Sequence, residues 1–246
     1  MKVLITGGTG LLGNATKTVL EKKYDIISIN SKDCDLTNFE EIKKLFSNVK
    51  PDILIHLAAQ VGGIGANNKN KLDFFEVNNF INLNTIKSAI DNNVKYIVAS
   101  GTACAYPKKF EGQILVEDTY LDGFPEITND AYAYSKRSLL CHLIAAKETK
   151  NIDYCFFIPT NIFGPYDYFN KFNSHIIPGV INRMHEAKKE NQIFKAWGTG
   201  TPKRDFLFVD DCAKAISIIL DNRFKGSINI ASGNQHSIYE VVNYIK

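Results

Sequence analysis

Three features of the sequence predict an α/β fold built on a doubly wound parallel sheet. Short β-rich runs alternate with stretches whose apolar residues recur at helical spacing. A glycine-rich segment follows the first of these runs directly. Beyond Pro159 the alternation gives way to loops punctuated by Gly and Pro, the mark of a smaller C-terminal lobe over the carboxyl edge of the sheet. The boundary falls near residue 160, so the sheet domain covers 1–160 and a partial second lobe 161–246, with segments free to cross between them.

Strands are predicted at Lys2–Thr6, Asp25–Ile29, Ile53–Leu57, Tyr96–Ala99 and Tyr154–Ile158. Helices are predicted between them at Leu11–Lys22, Phe39–Phe46, Leu72–Asn92 and Tyr132–Thr149. Such an order implies right-handed βαβ units and a parallel sheet covered by helices. Further helices are expected near Ile176–Lys189 and Asp210–Asp221, with a last strand at Ser227–Ile230.

The chain has 246 residues, 45% hydrophobic and 22% charged, enough for a substantial core. A net charge of +3 without a basic run argues against a nucleic-acid partner. No apolar stretch approaches the ~20 residues of a membrane helix, and MKVLIT is too short for a signal peptide, so a cytoplasmic location is expected. Cys34, Cys104, Cys141, Cys155 and Cys212 are scattered and odd in number, which fits reduced thiols and no disulfide framework. His142, His185 and His236 read as ordinary helix and loop residues and His56 as core or sheet edge; no spacing among them makes a metal site.

The first strand runs into Gly7-Gly8-Thr9-Gly10-Leu11-Leu12-Gly13 and then a helix. Glycines at 7, 10 and 13 allow a tight turn, close backbone approach to a diphosphate, and helix packing on the strand. The diphosphate then sits on free N–H groups at the helix start, which is the Rossmann arrangement for a dinucleotide. The second strand ends in Asn30-Ser31-Lys32, where NAD would want a carboxylate. Lys32 suits a 2′-phosphate, so NADP(H) is favoured, the alternative being an ordinary surface lysine. Asp35 either contacts adenine or caps the next helix.

Tyr132 and Lys136 stand four apart on one helix face. An ammonium beside a phenol is expected to lower its pKa, and such a pair can pass a proton to or from a carbonyl oxygen. Thr102 and Cys104 follow the fourth strand, whose end faces the ligand in this architecture; the alternative for Cys104 is a small buried filler.

The glycine loop, Tyr-x-x-x-Lys, AAQVGGIGANN (58–68), CAYP (104–107), PTNIFGPYDYF (159–169), NSHIIP (173–178), RMHEA (183–187) and WGTGTPKRDFLFVDD (197–211) span the chain. Together they resemble the extended short-chain dehydrogenase/reductases, and among them the GDP-L-fucose synthase branch. The resemblance implies Thr102, Tyr132 and Lys136 as the reductive group, and Cys104 with His175 as the pair working on the carbons beside a ketone. It implies cofactor contacts from Gly7, Thr9, Gly10, Leu11, Leu12, Gly13, Lys32, Asp35, Leu36, Ala58, Ala59, Tyr132, Lys136, Pro159, Thr160, Asn161, Ile162 and His175. Arg183, Trp197 and Arg204 match positions contacting a GDP-sugar; the place of Arg204 after a Trp-Gly turn favours a diphosphate contact, the alternative being a surface charge paired with Asp205. Asn78 either braces the active-site helix or lies on the surface.

The function implied is NADPH-dependent epimerisation and C4-keto reduction of a GDP-4-keto-6-deoxy sugar. The alternatives are a C4 reductase or epimerase on a related GDP-sugar such as a 4-keto-heptose, or a non-catalytic dinucleotide-binding protein. A homodimer through the helices at 72–92 and 132–149 is also implied. Members of the family continue past Lys246 into further substrate-domain structure, so the lobe is expected to be shortened.

Overall fold

A computed structural model of the chain describes residues 1–63, 65, 69–169 and 174–246. Residues 64, 66–68 and 173, which belong to two of the motifs above, lie outside the described residues. The sheet domain runs β1 (Lys2–Thr6), α1 (Leu11–Leu20), β2 (Asp25–Ile29), α2 (Phe39–Val49), β3 (Ile53–His56), α3 (Lys71–Asp91), β4 (Tyr96–Ser100), α4 (Asp130–Lys150) and β5 (Asp153–Pro159). There follow β6 (Asn161–Phe163), α5 (Ile176–Lys189), β7 (Lys203–Phe208), α6 (Val209–Asn222), β8 (Gly226–Ile230), β9 (Gln235–Ser237) and α7 (Ile238–Ile245).

Six strands pair in parallel in the order β2-β1-β3-β4-β5-β8. The chain winds outward from β1 in both directions, so a crevice opens above the carboxyl ends of β1 and β3. Strand alternation sends Leu4, Leu54, Ile97 and Phe156 to one face, where α2, α3 and α4 supply Ile42, Phe46, Ile86, Leu139 and Leu143. Val3, Ile5, Ile55, Val98 and Phe157 point to the other face, against Leu20 of α1 and Ile216 and Leu220 of α6. Both faces are dry, as a parallel sheet requires.

The first two strands fall where the sequence places them, while β3 ends at His56, one residue before the predicted Leu57. Nothing in the sequence predicts the second sheet. There β6 pairs in parallel with β7, and β7 pairs antiparallel with β9. Two of these strands have three residues each, too few for any periodicity to register. After residue 160 the chain returns to the large sheet: α6 packs beside α1, and β8 pairs with β5. Ser237 and Glu240 form a capping box at the start of α7.

At the end of β4, Gly101 is held against the aromatic core. A Cβ there would lie 2.6 Å from the Phe156 ring and 3.2 Å from the Ile158 side chain. Gly101→Ala is therefore expected to destabilise the fold by about 1–3 kcal/mol through overpacking. Urea melts should show Phe156→Leu recovering part of that loss in the double variant; simple additivity would contradict the clash.

Candidate active site

The glycine turn is built by steric exclusion. Gly7 has φ +74°, and a Cβ on it would stand 2.8 Å from the Ala58 nitrogen. A Cβ on Gly13 would stand 2.2 Å from the Gly7 carbonyl oxygen, so helix and turn touch backbone to backbone. At the start of α1, Gly10 provides no side-chain cap and the first turn holds no acidic residue. Its N–H groups and the positive end of the helix dipole thus face the crevice, a fit for a diphosphate. Thr9 and Gly10 are exposed there, with Leu11 and Leu12 half-buried behind them.

At the end of β2, the Asn30 side chain accepts the Lys32 N–H at 2.8 Å and so shapes the turn that leaves Lys32 exposed. Asp35 accepts the N–H and hydroxyl of Thr37 at 2.9 and 2.8 Å, and these bonds hold its carboxyl below the usual range. The cap of α2 is Asn38, which accepts from Glu40 and Glu41, so Asp35 is not the helix cap. Leu36 is buried beneath.

Thr102, Cys104, Tyr132, Lys136 and Arg204 come together at the carboxyl end of β4. The Lys136 ammonium is buried, donates to the Ser100 carbonyl at 2.9 Å and lies 5.9 Å from the Tyr132 ring centre. Burial pulls its pKa down from 10.5 to about 8. Burial also pushes the Tyr132 phenol up, and the Cys104 charge pushes it further. The expected lowering of Tyr132 by its lysine is therefore corrected: burial is the largest influence on the phenol, which keeps its proton at neutral pH. That is the state a proton donor needs.

Cys104 is reached by solvent yet crowded on its protein side, as a residue in a cleft wall is. Crowding pushes its thiol up, while the Thr102 hydroxyl and the Arg204 charge pull the other way. The Thr102 hydroxyl accepts the Cys104 N–H at 3.4 Å, capping a short 3-10 turn at Ala103–Ala105. Arg204 is exposed and does not pair with Asp205, whose carboxylate takes the Thr160 hydroxyl and the N–H groups of Ser232 and Gly233. Asn161 likewise donates to the Asp205 carbonyl, so both side chains beyond Pro159 are turned toward β7, with Ile162 half-buried beside them.

His175 stands exposed at the N-cap of α5. Its charge acts on Asp167, whose carboxyl burial pushes up, and it is not among the charges acting on Cys104. Arg183 and Trp197 form a separate cluster. The guanidinium lies 3.9 Å above the indole ring, beside a cavity of about 160 Å³ that both line.

Several supports escaped the sequence reading. Tyr120, fully buried, brackets Thr102 by donating to its carbonyl at 3.2 Å and accepting its N–H at 3.3 Å. Arg137, also buried, donates to the carbonyls of Ala105, Gly123 and Asp122. A position one residue past the Tyr-x-x-x-Lys pair was the sole sequence signal for it. Asn78 is buried and braces Gln60, with bonds of 2.8 and 3.0 Å, rather than the active-site helix. Among the described residues no group of side chains could hold a metal ion. No helix among them is long and apolar enough to cross a membrane.

A glycine turn over a parallel switch point, with a Tyr-Lys pair at the end of β4, is a family signature, and residues 3–231 match the NAD dependent epimerase/dehydratase family. The chain belongs to that family. It is an oxidoreductase/epimerase of the short-chain dehydrogenase/reductase type. It is 37% identical over 250 residues to a GDP-L-fucose synthase 1 of Arabidopsis thaliana, covering 100% of this chain and 77% of that protein. It is 35% identical to a GDP-L-colitose synthase of Yersinia pseudotuberculosis, covering 100% of this chain and 81% of that one. A solved GDP-L-fucose synthetase from Naegleria fowleri, bound to NADP, superposes with TM-score 0.85 at 30% identity, covering 100% of this chain and 77% of that one.

The charges on Cys104 make a direct expectation for its chemistry. Alkylation of Cys104 by iodoacetamide, followed by mass spectrometry, should still be rising with pH where an ordinary thiol has levelled off. Arg204→Gln should slow it further at every pH below that point. An unchanged profile in this variant would place Arg204 outside the site.

Proposed function

We propose that the protein is an NADPH-dependent enzyme that epimerises and then reduces a GDP-4-keto-6-deoxy sugar. The observation that carries this reading is the cluster at the end of β4, where a phenol held protonated shares a cleft with a reachable thiol. Kinship with GDP-L-fucose and GDP-L-colitose synthases supports the substrate class. Kinship with an NADP-bound synthetase supports the cofactor.

In this reading residues 1–160 hold the cofactor and 161–246 part of the sugar-nucleotide lobe. Gly7, Thr9, Gly10, Leu11, Leu12 and Gly13 cradle the diphosphate on the start of α1. Lys32 meets the 2′-phosphate, with Asp35 and Leu36 at the adenine. Ala58 and Ala59 line the crevice, and Pro159, Thr160, Asn161 and Ile162 the nicotinamide side. When bound, NADPH supplies a hydride to the ketone carbon. Tyr132 gives its phenolic proton to the ketone oxygen, Thr102 donates a hydrogen bond to the same oxygen, and Lys136 offsets the negative charge left on the phenol.

For epimerisation, a ketone acidifies the carbons beside it. Cys104 as thiolate takes a proton from one face, Thr102 and Tyr132 hold the enolate oxygen, and His175 returns a proton from the other face. That step requires His175 and Cys104 to reach opposite sides of one sugar ring. Arg183, Trp197 and Arg204 then contact the GDP portion. The exposed Leu72, Phe75, Phe80 and Leu83 on α3 support a homodimer through that helix. The raised thiol favours a second reading, in which the enzyme reduces C4 and leaves the neighbouring carbons alone.

Incubation with NADPH and GDP-4-keto-6-deoxymannose, following absorbance and product stereochemistry, tests the proposal. Tyr132→Phe should lose roughly 10²–10⁴-fold in reduction while still binding cofactor. Near-normal turnover would remove Tyr132 from the proton path. Lys32→Ala should weaken NADPH binding about tenfold, the worth of a charge-assisted contact, and leave NADH binding unchanged. Equal affinity of the unmutated protein for both nucleotides would contradict NADP preference.

The two readings separate at Cys104. Cys104→Ser should abolish solvent deuterium exchange beside the ketone while direct C4 reduction survives. Absence of such exchange in the unmutated enzyme would make it a reductase only.

A further inference from the structure

We propose that His56 and Asn82 are positioning residues, tying the loop at Ala58 to the helix of Tyr132 and Lys136 through a one-way chain of buried hydrogen bonds. This rests on the reading above that α4 carries the proton donor and that Ala58 lines the cofactor crevice. The links are an Ala58 N–H to Thr6 Oγ1 at 3.3 Å, Thr6 Oγ1 to His56 Nδ1 at 2.8 Å, His56 Nε2 to Asn82 Oδ1 at 3.0 Å, and Asn82 Nδ2 to the Ser135 carbonyl at 3.2 Å.

The helix end and a neutral ring fix the direction of every link. Ala58 N–H can only donate, so Thr6 Oγ1 accepts it and still has a hydrogen and a second lone pair to offer the His56 ring. The Ser135 carbonyl can only accept, so Asn82 presents its NH₂ to the helix and its oxygen to the ring. The ring must then carry its hydrogen on Nε2, and a neutral ring leaves a lone pair on Nδ1 that takes the Thr6 hydrogen. Thr6, His56 and Ser135 are fully buried and Asn82 is 3% exposed, so no water can substitute for a missing link among these four. Burial, and after it the charge of Lys136, holds His56 to a pKa of about 3, and the ring is neutral at physiological pH.

An apolar set of the same shape would fill this space without polar groups to desolvate. What the polar chain adds is a fixed register between two elements that the sheet alone does not align. Ser135 lies immediately before Lys136, and its hydroxyl donates to the Tyr132 carbonyl at 2.7 Å. A shift of Asn82 would therefore be felt at both members of the Tyr-Lys pair. Movement of the Ala58 loop upon cofactor binding would be felt at Asn82.

The test combines a spectrum with a variant. In the full chain with ¹⁵N-labelled histidine at pH 7, His56 should give the shift pair of a neutral ring protonated on Nε2. A ring protonated on Nδ1, or on both nitrogens, would overturn the proposal. In hydrogen–deuterium exchange, NADPH should slow exchange at the start of α4 in the unmutated protein. Asn82→Leu should bind NADPH within about threefold of normal, lose that slowing, and lose about tenfold in kcat at unchanged KM for the GDP-4-keto sugar. Retention of both the slowing and kcat in Asn82→Leu would equally overturn the proposal. If the unmutated protein reduces no GDP-4-keto sugar, the functional reading fails, while the tautomer and the exchange data still decide the tie.

Discussion

A full positive charge taken out of water at the end of β4 is the constraint on which the site depends. Lys136 is 1% exposed and is anchored by the Ser100 carbonyl. Holding that charge there costs the fold about 3 kcal/mol at neutral pH, from the fall of its pKa from 10.5 to about 8. The sign follows from a lowered base: the penalty is fully present below about pH 8 and vanishes as pH rises past 10.5. Burial acts on the neighbouring groups as well. Tyr132 keeps its proton, Cys104 is pushed up, and His56 stays neutral.

The parallel sheet makes this concentration possible. Its strands all end on one edge, so the glycine turn after β1, the Ala58 loop after β3, the Thr102–Cys104 turn after β4 and Pro159 at the end of β5 converge there. Each loop is then fixed by a group from elsewhere. Tyr120 brackets Thr102, Arg137 holds Ala105, Asn78 holds Gln60, and Asp205 binds Thr160. The small sheet of β6, β7 and β9 carries Arg204 within electrostatic reach of Cys104. Loops that carry chemistry are thus pinned from several elements, which limits how far any one can move.

Much of this was legible in the sequence because it is local. The glycine turn, the alternation of the large sheet and the Tyr-x-x-x-Lys spacing are each written within a few consecutive residues. What escaped is long-range. The bond from Asn82 to Ser135 joins residues 53 apart, and the bond from Thr160 to Asp205 joins residues 45 apart. Short strands such as Asn161–Phe163 carry no period. The expected lowering of the Tyr132 phenol failed for one reason. A sequence shows an ammonium beside a phenol but not how deeply either is packed, and burial is the largest influence on both.

The chemistry of the site stands on the burial of Lys136, and the titration of that residue tests it most directly. In the cofactor-free protein with ¹³C-labelled lysine, the Cε signal of Lys136, assigned through Lys136→Met, should titrate at about pH 8. A midpoint at its ordinary 10.5 would mean that water reaches the ammonium, and the protonation states derived for its neighbours would fall with it.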